Sequence, residues 1–350
     1  MSVKLGALGF AHGHVFAYGG KWAEDPSLGI EFTKGWDWDP VRKADGCAKL
    51  KMAEAADVNE VLRSSDAVVI SVETAFHAKL VEIAAAAKKD IVCYKPMSLS
   101  MQEADRMVEA VEKNGVRFTL AYQMRMDPQN IKIKELIDSG AIGPVYQYRR
   151  RHGLSTHLWG NFADTWHNEK VLNRDIFADD SAHPVDMMNW IFGVPETVMC
   201  EMSTMDDPRI ANDSGIALFK YKNGMIAQIH CNFSSCITEP TTEVYGKNGT
   251  ILHYYGDAVS CHGLTRSGPG LKWYVNGDKD WTVSDIESPA AHGWRIANEY
   301  LMLGEFLRGE RGPICSVYEG RDSLRMVLAC YVSAREGRRV RIDDPAVYHV

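Results

Sequence analysis

Over the first 125 residues, short apolar runs rich in β-branched residues alternate with helix-like stretches. The runs fall at 3–8, 30–36, 66–72, 90–94 and 116–122. The one at 66–72 is apolar at consecutive places, not at every second one. A strand of that kind is covered on both faces, the condition of a parallel sheet flanked by helices. Between the runs, 77–88 is alanine-rich with Leu80, Ile83, Ala84 and Ala87 on one face. Ser100-Met101-Gln102-Glu103 reads as a capping box opening a helix with Ala104, Met107, Val108 and Val111 on one stripe. These signals predict an α/β domain over residues 1–125.

The pattern then changes. Residues 129–139 read as a helix closed by Gly140, and 145–152 as a strand holding three arginines. Residues 153–175 read as a loop rich in Trp, His and Asn. A short helix over 184–192 ends at Gly193, a strand follows at 198–205, and more strands lie between 214 and 283. Asn223-Gly224 and Asn248-Gly249 punctuate them. Helices over 294–307 and 319–334 close the chain. The expectation is a second, α+β domain over 126–350, a sheet with helices on one face. A length of 350 residues is consistent with two domains.

A formal net charge of −7 argues against nucleic acid and anionic membrane as partners. No apolar run spans a bilayer, and the first residues lack the layout of a signal peptide. The eight cysteines form no C-x-x-C pair, which reads as reduced thiols in a cytoplasmic protein.

Four constellations carry chemistry. Gly9-Phe10-Ala11-His12-Gly13-His14 follows the first strand, where a glycine turn lets backbone N–H groups and a helix N-terminus meet a pyrophosphate. Only Gly9 fits the G-x-G-x-x-G spacing, and an ordinary βα turn has the same appearance. Asp37-Trp38-Asp39-Pro40 ends the second strand; an acid there accepts ribose hydroxyls and favours NAD over NADP, although Arg42 is near. Tyr94-Lys95-Pro96 ends the fourth strand, where a lysine can polarise a substrate hydroxyl; a surface lysine before a turn is the plainer reading. In Asp179-x-x-x-His183-Pro184-x-Asp186, proline at the first helical place puts His183 at the N-cap and Asp179 in the preceding loop. Histidine suits a general base, and a buried structural histidine or a metal ligand with His157 or His167 are the other readings. Trp159 and Trp166 in the loop suit the C–H faces of sugars, and equally suit packing.

Together these motifs resemble the glucose-fructose oxidoreductase/inositol dehydrogenase (Gfo/Idh/MocA) family along nearly the whole chain. The resemblance is carried by the strand at 66–70 with His77 after it, by Tyr94-Lys95-Pro96, and by the segment Leu136-Ile137-Asp138-Ser139-Gly140-Ala141-Ile142-Gly143. Asp179, His183 and Asp186 with Trp190-Ile191-Phe192-Gly193 carry it further, as does Tyr245-Gly246-Lys247-Asn248-Gly249-Thr250. It implies a Rossmann domain followed by a large, mostly antiparallel open sheet, and a homodimer or homotetramer built through that sheet. It implies NAD contacts from residues 9–14, Asp37, Trp38, Ser71, His77, Tyr94 and Lys95. Lys95, Asp179 and His183 then line the substrate, with Arg125, His157, Trp159 and Trp166 beside them. No metal is implied. The chain departs from the family at Ala11 and His14, at Tyr94 where a glutamate is usual, at residues 173–178 where glycines cluster, and at Ser181.

The expected activity is hydride transfer between NAD and a hydroxyl of a sugar, inositol or related polyol. His183 would take the proton, Lys95 polarise the hydroxyl, and Asp179 orient the substrate or the histidine. Two alternatives remain at this point: an enzyme that retains NAD and oxidises the sugar transiently, such as a glycosidase or epimerase, and a non-catalytic sugar or dinucleotide sensor.

Overall fold

A computed structural model describes residues 2–237, 241–254, 270–287, 296 and 298–350. The chain forms two compact units. The first comprises Met1–Met126 and Gly293–Arg321, the second Asp127–His292 and Asp322–Val350.

The first unit is built on six strands: β1 (Val3–Leu8), β2 (Ile30–Trp36), β3 (Ala53–Glu54), β4 (Ala67–Ile70), β5 (Asp90–Cys93) and β6 (Phe118–Leu120). They are all parallel, in the order β3-β2-β1-β4-β5-β6. This is the doubly wound dinucleotide-binding arrangement, whose strand order reverses at β1/β4. The continuously apolar β4 is buried at every residue, as its sequence requires. The capping box forms with one difference. Ser100 Oγ accepts from Glu103 N at 3.3 Å, while Glu103 Oε2 accepts from Leu99 N, not from Ser100.

The sequence gives no sign that residues 298–321 return to this unit. They do so because Leu303, Phe306, Leu307 and Ile314 complete a core shared with Leu5, Val15, Tyr18, Trp22, Val69 and Val92. Polar contacts fix the docking. Trp22 Nε1 donates to Tyr300 O at 3.2 Å, and Ile314 N donates to Thr119 Oγ1 at 2.9 Å. Arg117 donates to the carbonyls of Phe306 and Leu307, at the C-terminal end of the helix Glu299–Leu307. The expected helix over 294–307 is described only from Glu299; residues 294, 295 and 297 lie outside the described residues.

The second unit holds nine strands: β7 (Val145–Gly153), β8 (Thr197–Ser203), β9 (Ser214–Lys220), β10 (Ile226–Asn232), β11 (Thr242–Gly246), β12 (Gly249–His253), β13 (Leu271–Val275), β14 (Thr282–Val283) and β15 (Val340–Arg341). Their order is β14-β13-β12-β11-β7-β10-β9-β8-β15, antiparallel except for β7 against β10. The expected mostly antiparallel sheet is therefore present. Side chains alternate across it. Gly215, Ala217 and Phe219 of β9 are buried, whereas Ile216 and Leu218 are exposed. The exposed face also carries Met199, Ile226 and Tyr245. The inner face packs on the helices Ala182–Phe192 and Val317–Glu336. There Ser323 Oγ donates to Asp186 Oδ1 at 2.9 Å and accepts from Asn189 Nδ2 at 3.0 Å. Asp186 is thus a buried helix-to-helix tie.

Candidate cofactor and substrate site

The glycine turn after β1 is built as a dinucleotide turn requires. Gly9 has φ of 87°, and a Cβ there would lie 2.1 Å from Val72 Cγ1, so the position admits glycine alone. Its neighbours are clamped. Gly9 N donates to Trp36 O at 2.7 Å, His12 N to Ser71 O at 2.9 Å, and Ser71 Oγ to Gly9 O at 2.6 Å. Phe10 is buried in space that Gly35 and Gly46 leave, since Cβ atoms at those glycines would come within 2.7 and 2.4 Å of its ring. The helix His14–Glu24 then starts at Gly13, with no side-chain cap and no heavy atom within 4 Å of where a Cβ would stand. A helix N-terminus without a side-chain cap is the kind of feature that can receive an anion such as a pyrophosphate.

At the end of β2, Asp37 is 3% exposed and its carboxylate is enclosed by donors. Oδ2 accepts from Phe10 N at 2.8 Å and Arg42 Nε at 2.7 Å; Oδ1 accepts from Asp39 N at 2.9 Å and Arg42 Nη2 at 2.8 Å. Trp38 packs edge-on to Phe76 at 4.4 Å.

Beyond β5, the ring of Tyr94 stacks on His12 at 4.5 Å, and His12 meets His14 edge-on at 4.5 Å. Residue 94 therefore abuts the glycine turn. Burial pushes the Tyr94 and Tyr18 phenols well above their usual range, so both stay neutral. Lys95 follows at 4% exposure. His77 is buried with Nδ1 3.0 Å from Pro96 O and Nε2 3.2 Å from Val72 O, tying the loop after β4 to the one carrying Lys95. Arg125 is buried, and its Nη1 donates to Glu319 Oε1 at 2.6 Å and Ile314 O at 3.1 Å.

In the second unit, Asp179 and His183 are buried on two successive helices, Ile176–Asp180 and Ala182–Phe192. Two expectations are corrected here. Asp179 is helical, not in a loop, because Asp175 caps its helix by accepting from Ala178 N at 2.9 Å. His183 is inside its helix, not at the cap, because the helix starts at Ala182. Pro184 remains in the first turn, whose N–H groups lack intrahelical partners, so proline is tolerated there. Asp175 itself is buried, accepts from the Tyr331 hydroxyl and from Asn212 Nδ2 at 2.7 Å, and has its carboxyl raised above the usual range by burial.

Two residues of this cluster escaped the sequence reading. Asp180 Oδ1 lies 3.4 Å from His152 Nε2 and 4.0 Å from His183 Nε2. His152 is buried on β7, and its ring is 5.9 Å from that of His183. The missed signal was the period of β7: Tyr148, Arg150 and His152 alternate with more exposed residues and so share the inner face.

The aromatic segment is a chain of single turns, Thr156–Leu158, Phe162–Asp164 and Trp166–Asn168, followed by the helix Lys170–Asn173. Trp166 stacks on His167 at 4.0 Å, Phe162 meets His167 at 5.6 Å, and Trp159 meets Phe162 edge-on at 5.4 Å. Trp159 is 41% exposed. His157 is exposed, with Nε2 3.8 Å from Cys236 Sγ. Among the described residues no group of three His, Cys, Asp or Glu side chains is arranged to hold a metal, and no helix is long and apolar enough to cross a membrane.

A doubly wound parallel sheet with a glycine turn at positive φ after its first strand, followed by a large open sheet, is the architecture of a dinucleotide-binding protein. Comparison with known proteins gives the family. Residues 6–122 match the model of the oxidoreductase family NAD-binding Rossmann fold, and residues 130–252 match the GFO/IDH/MocA C-terminal domain. The chain belongs to the Gfo/Idh/MocA oxidoreductase family. It is 29% identical over 205 residues to an uncharacterized oxidoreductase of Bacillus subtilis, YrbE, covering 53% of this chain and 54% of that protein. It is 25% identical over 284 residues to D-apiose dehydrogenase of Paraburkholderia graminis, covering 80% of this chain and 73% of that protein. A solved levoglucosan dehydrogenase in complex with NADH and levoglucosan shares the fold, with a TM-score of 0.83 over 98% of this chain and 100% of that one, at 17% identity.

Proposed function

We propose that this chain is an NAD-dependent dehydrogenase that oxidises a secondary hydroxyl of a sugar, inositol or related polyol. The observation that carries the reading is Lys95. It is a buried lysine at the carboxyl end of a parallel strand, directly after a tyrosine stacked on the dinucleotide turn. Bound NAD⁺ would accept the hydride from the carbinol carbon. The turn at residues 9–14 would hold its pyrophosphate, with Asp37, Trp38, Ser71, His77 and Tyr94 shaping the remainder. Lys95 donates a hydrogen bond to the substrate hydroxyl and stabilises the negative charge that develops on its oxygen. His183 takes the hydroxyl proton, and Asp179 holds the substrate through another hydroxyl. The products are the ketone, NADH and one proton.

The aromatic segment with Trp159 and Trp166 is assigned to the sugar's C–H faces, with His157 and Arg125 completing the substrate set. The relatives named for apiose and levoglucosan support a carbohydrate substrate. The exposed apolar face of the large sheet, with Met199, Ile216, Leu218 and Ile226, supports assembly into a homodimer or homotetramer. The described cysteines, all free, support a reducing, cytoplasmic setting.

The test is an absorbance screen at the NADH band with NAD⁺ and a panel of sugars, inositols and glycosides. A substrate-dependent rise is expected, and Lys95→Ala should lower turnover by about 10²–10⁴-fold while NAD⁺ still binds. Near-normal turnover in that variant would remove Lys95 from the chemistry. A flat trace from protein that holds NAD would favour transient oxidation or a sensor.

A further inference from the structure

An acid after the second strand normally accepts hydrogen bonds from the adenosine ribose. In this chain four donors, two of them from Arg42, already occupy Asp37, and a carboxylate has about four acceptor positions. The guanidinium makes one more bond: Arg42 Nη1 donates to Glu73 Oε1 at 2.8 Å. Glu73 comes from the loop beyond β4, directly across the β1 turn from β2, and is 5% exposed. Its other oxygen, Oε2, is buried with no hydrogen-bond partner among the described residues. A buried carboxylate oxygen without a donor is unfavourable, and a ligand hydroxyl would satisfy it. Trp38 supports the arrangement, with the Arg42 guanidinium 5.6 Å from its ring centre.

We propose that Glu73 sets this chain's preference for a dinucleotide with a free 2′-hydroxyl over one with a 2′-phosphate, by holding Arg42 on the Asp37–Glu73 pair. The inference deepens the cofactor assignment above and rests on it. An arginine beside the ribose edge is the group that would receive a 2′-phosphate. Here three charge-assisted bonds hold it to two carboxylates. Two carboxylates against one guanidinium also leave a net negative charge, which repels a phosphate and accepts from a hydroxyl. With Glu73 replaced by a neutral or truncated side chain, the charge-assisted hold on Nη1 is weakened or lost and the local charge falls to zero, so Arg42 can keep its fork on Asp37 and offer Nη1 to the phosphate.

The experiment is isothermal titration of the full chain with NAD⁺, NADP⁺ and adenosine 2′,5′-bisphosphate, which reads binding without turnover. Glu73→Gln preserves shape and Glu73→Ala removes the side chain. In both, the ratio of the NADP⁺ to the NAD⁺ dissociation constant is expected to fall tenfold or more, and adenosine 2′,5′-bisphosphate to bind correspondingly tighter. The gain should disappear in the double variant Glu73→Ala/Arg42→Ala. A ratio within about twofold of the wild type in both single variants, with NAD⁺ still binding, overturns the role of Glu73 alone. Wild-type protein that binds no dinucleotide overturns the cofactor assignment and this inference with it.

Discussion

The Nε2 atom of His152 lies 3.4 Å from Oδ1 of Asp180, and the same oxygen faces His183 Nε2 at 4.0 Å. One carboxylate thus stands between two buried imidazoles, one on β7 and one on the helix proposed to bear the base. These separations are longer than strong hydrogen bonds, as is common for catalytic contacts before substrate binds. If His183 is the base, as proposed, Asp180 would be a positioning residue for it. Asp180→Asn should lower kcat about 10–100-fold and change KM little. His152→Gln should act through the same carboxylate, so the double variant should cost less than the two single losses combined. Steady-state kinetics on the four proteins measures this, and strictly additive losses would break the link between the two residues.

Gly9→Ala meets two obstacles, a φ of 87° and a Cβ 2.1 Å from Val72 Cγ1. The left-handed backbone and the overpacking together should destabilise the first unit by about 2–5 kcal/mol. Urea denaturation reads the loss. A fall below about 1 kcal/mol would mean that the turn relaxes, and dinucleotide binding would then survive.

The residues that the sequence revealed are those whose chemistry is local. Gly9 was legible because a strand end and a helix start left it one conformation, and β4 because four consecutive buried residues have no polar face to show. β3 was not, since two exposed residues, Ala53 and Glu54, carry no period. The return of residues 298–321 was hidden for another reason: Leu303, Phe306 and Leu307 announce a helix with a buried face, but not which core it joins. Asp180 and Glu73 look like solvated acids in sequence, one beside Asp179 and one after a strand. Their meaning comes from partners 28 and 31 positions away, His152 and Arg42. The helix bearing His183 was mis-set by two residues because proline was read as the first helical place when it is the third.

Trp159 should separate recognition from stability. Trp159 is 41% exposed and meets Phe162 edge-on at 5.4 Å, so truncation leaves little cavity. Trp159→Ala should cost under about 1 kcal/mol of stability and change the ratio of kcat/KM between two sugar substrates several-fold. Calorimetry and a two-substrate assay decide it. A lowered Tm with an unchanged ratio would make the ring a packing residue.

Tyr331 and Asp175 give a prediction with a defined sign in pH. Burial raises the Asp175 carboxyl, while hydrogen bonds from Tyr331, Ala178 N and Asn212 oppose the shift. A carboxyl raised in the folded state keeps its proton to higher pH than in the unfolded chain. Its stabilising effect is complete below the unfolded value and is lost as pH rises through the folded one. Above the folded value the native state holds a buried anion that depends on its donors. Tyr331→Phe removes one of them, and a hydrogen bond to a charged group is worth about 1.5–3 kcal/mol. The loss should be near that size above the folded value and smaller below it, where the acceptor is neutral. Because Asp175 caps the helix that carries Asp179, the same substitution should raise KM for substrate and leave dinucleotide affinity within about twofold. Urea melts at pH 7 and pH 4.5 measure the first effect. An equal loss at both would show that the tyrosine bonds a neutral carboxyl throughout, and that Asp179 is held by the helix cap alone.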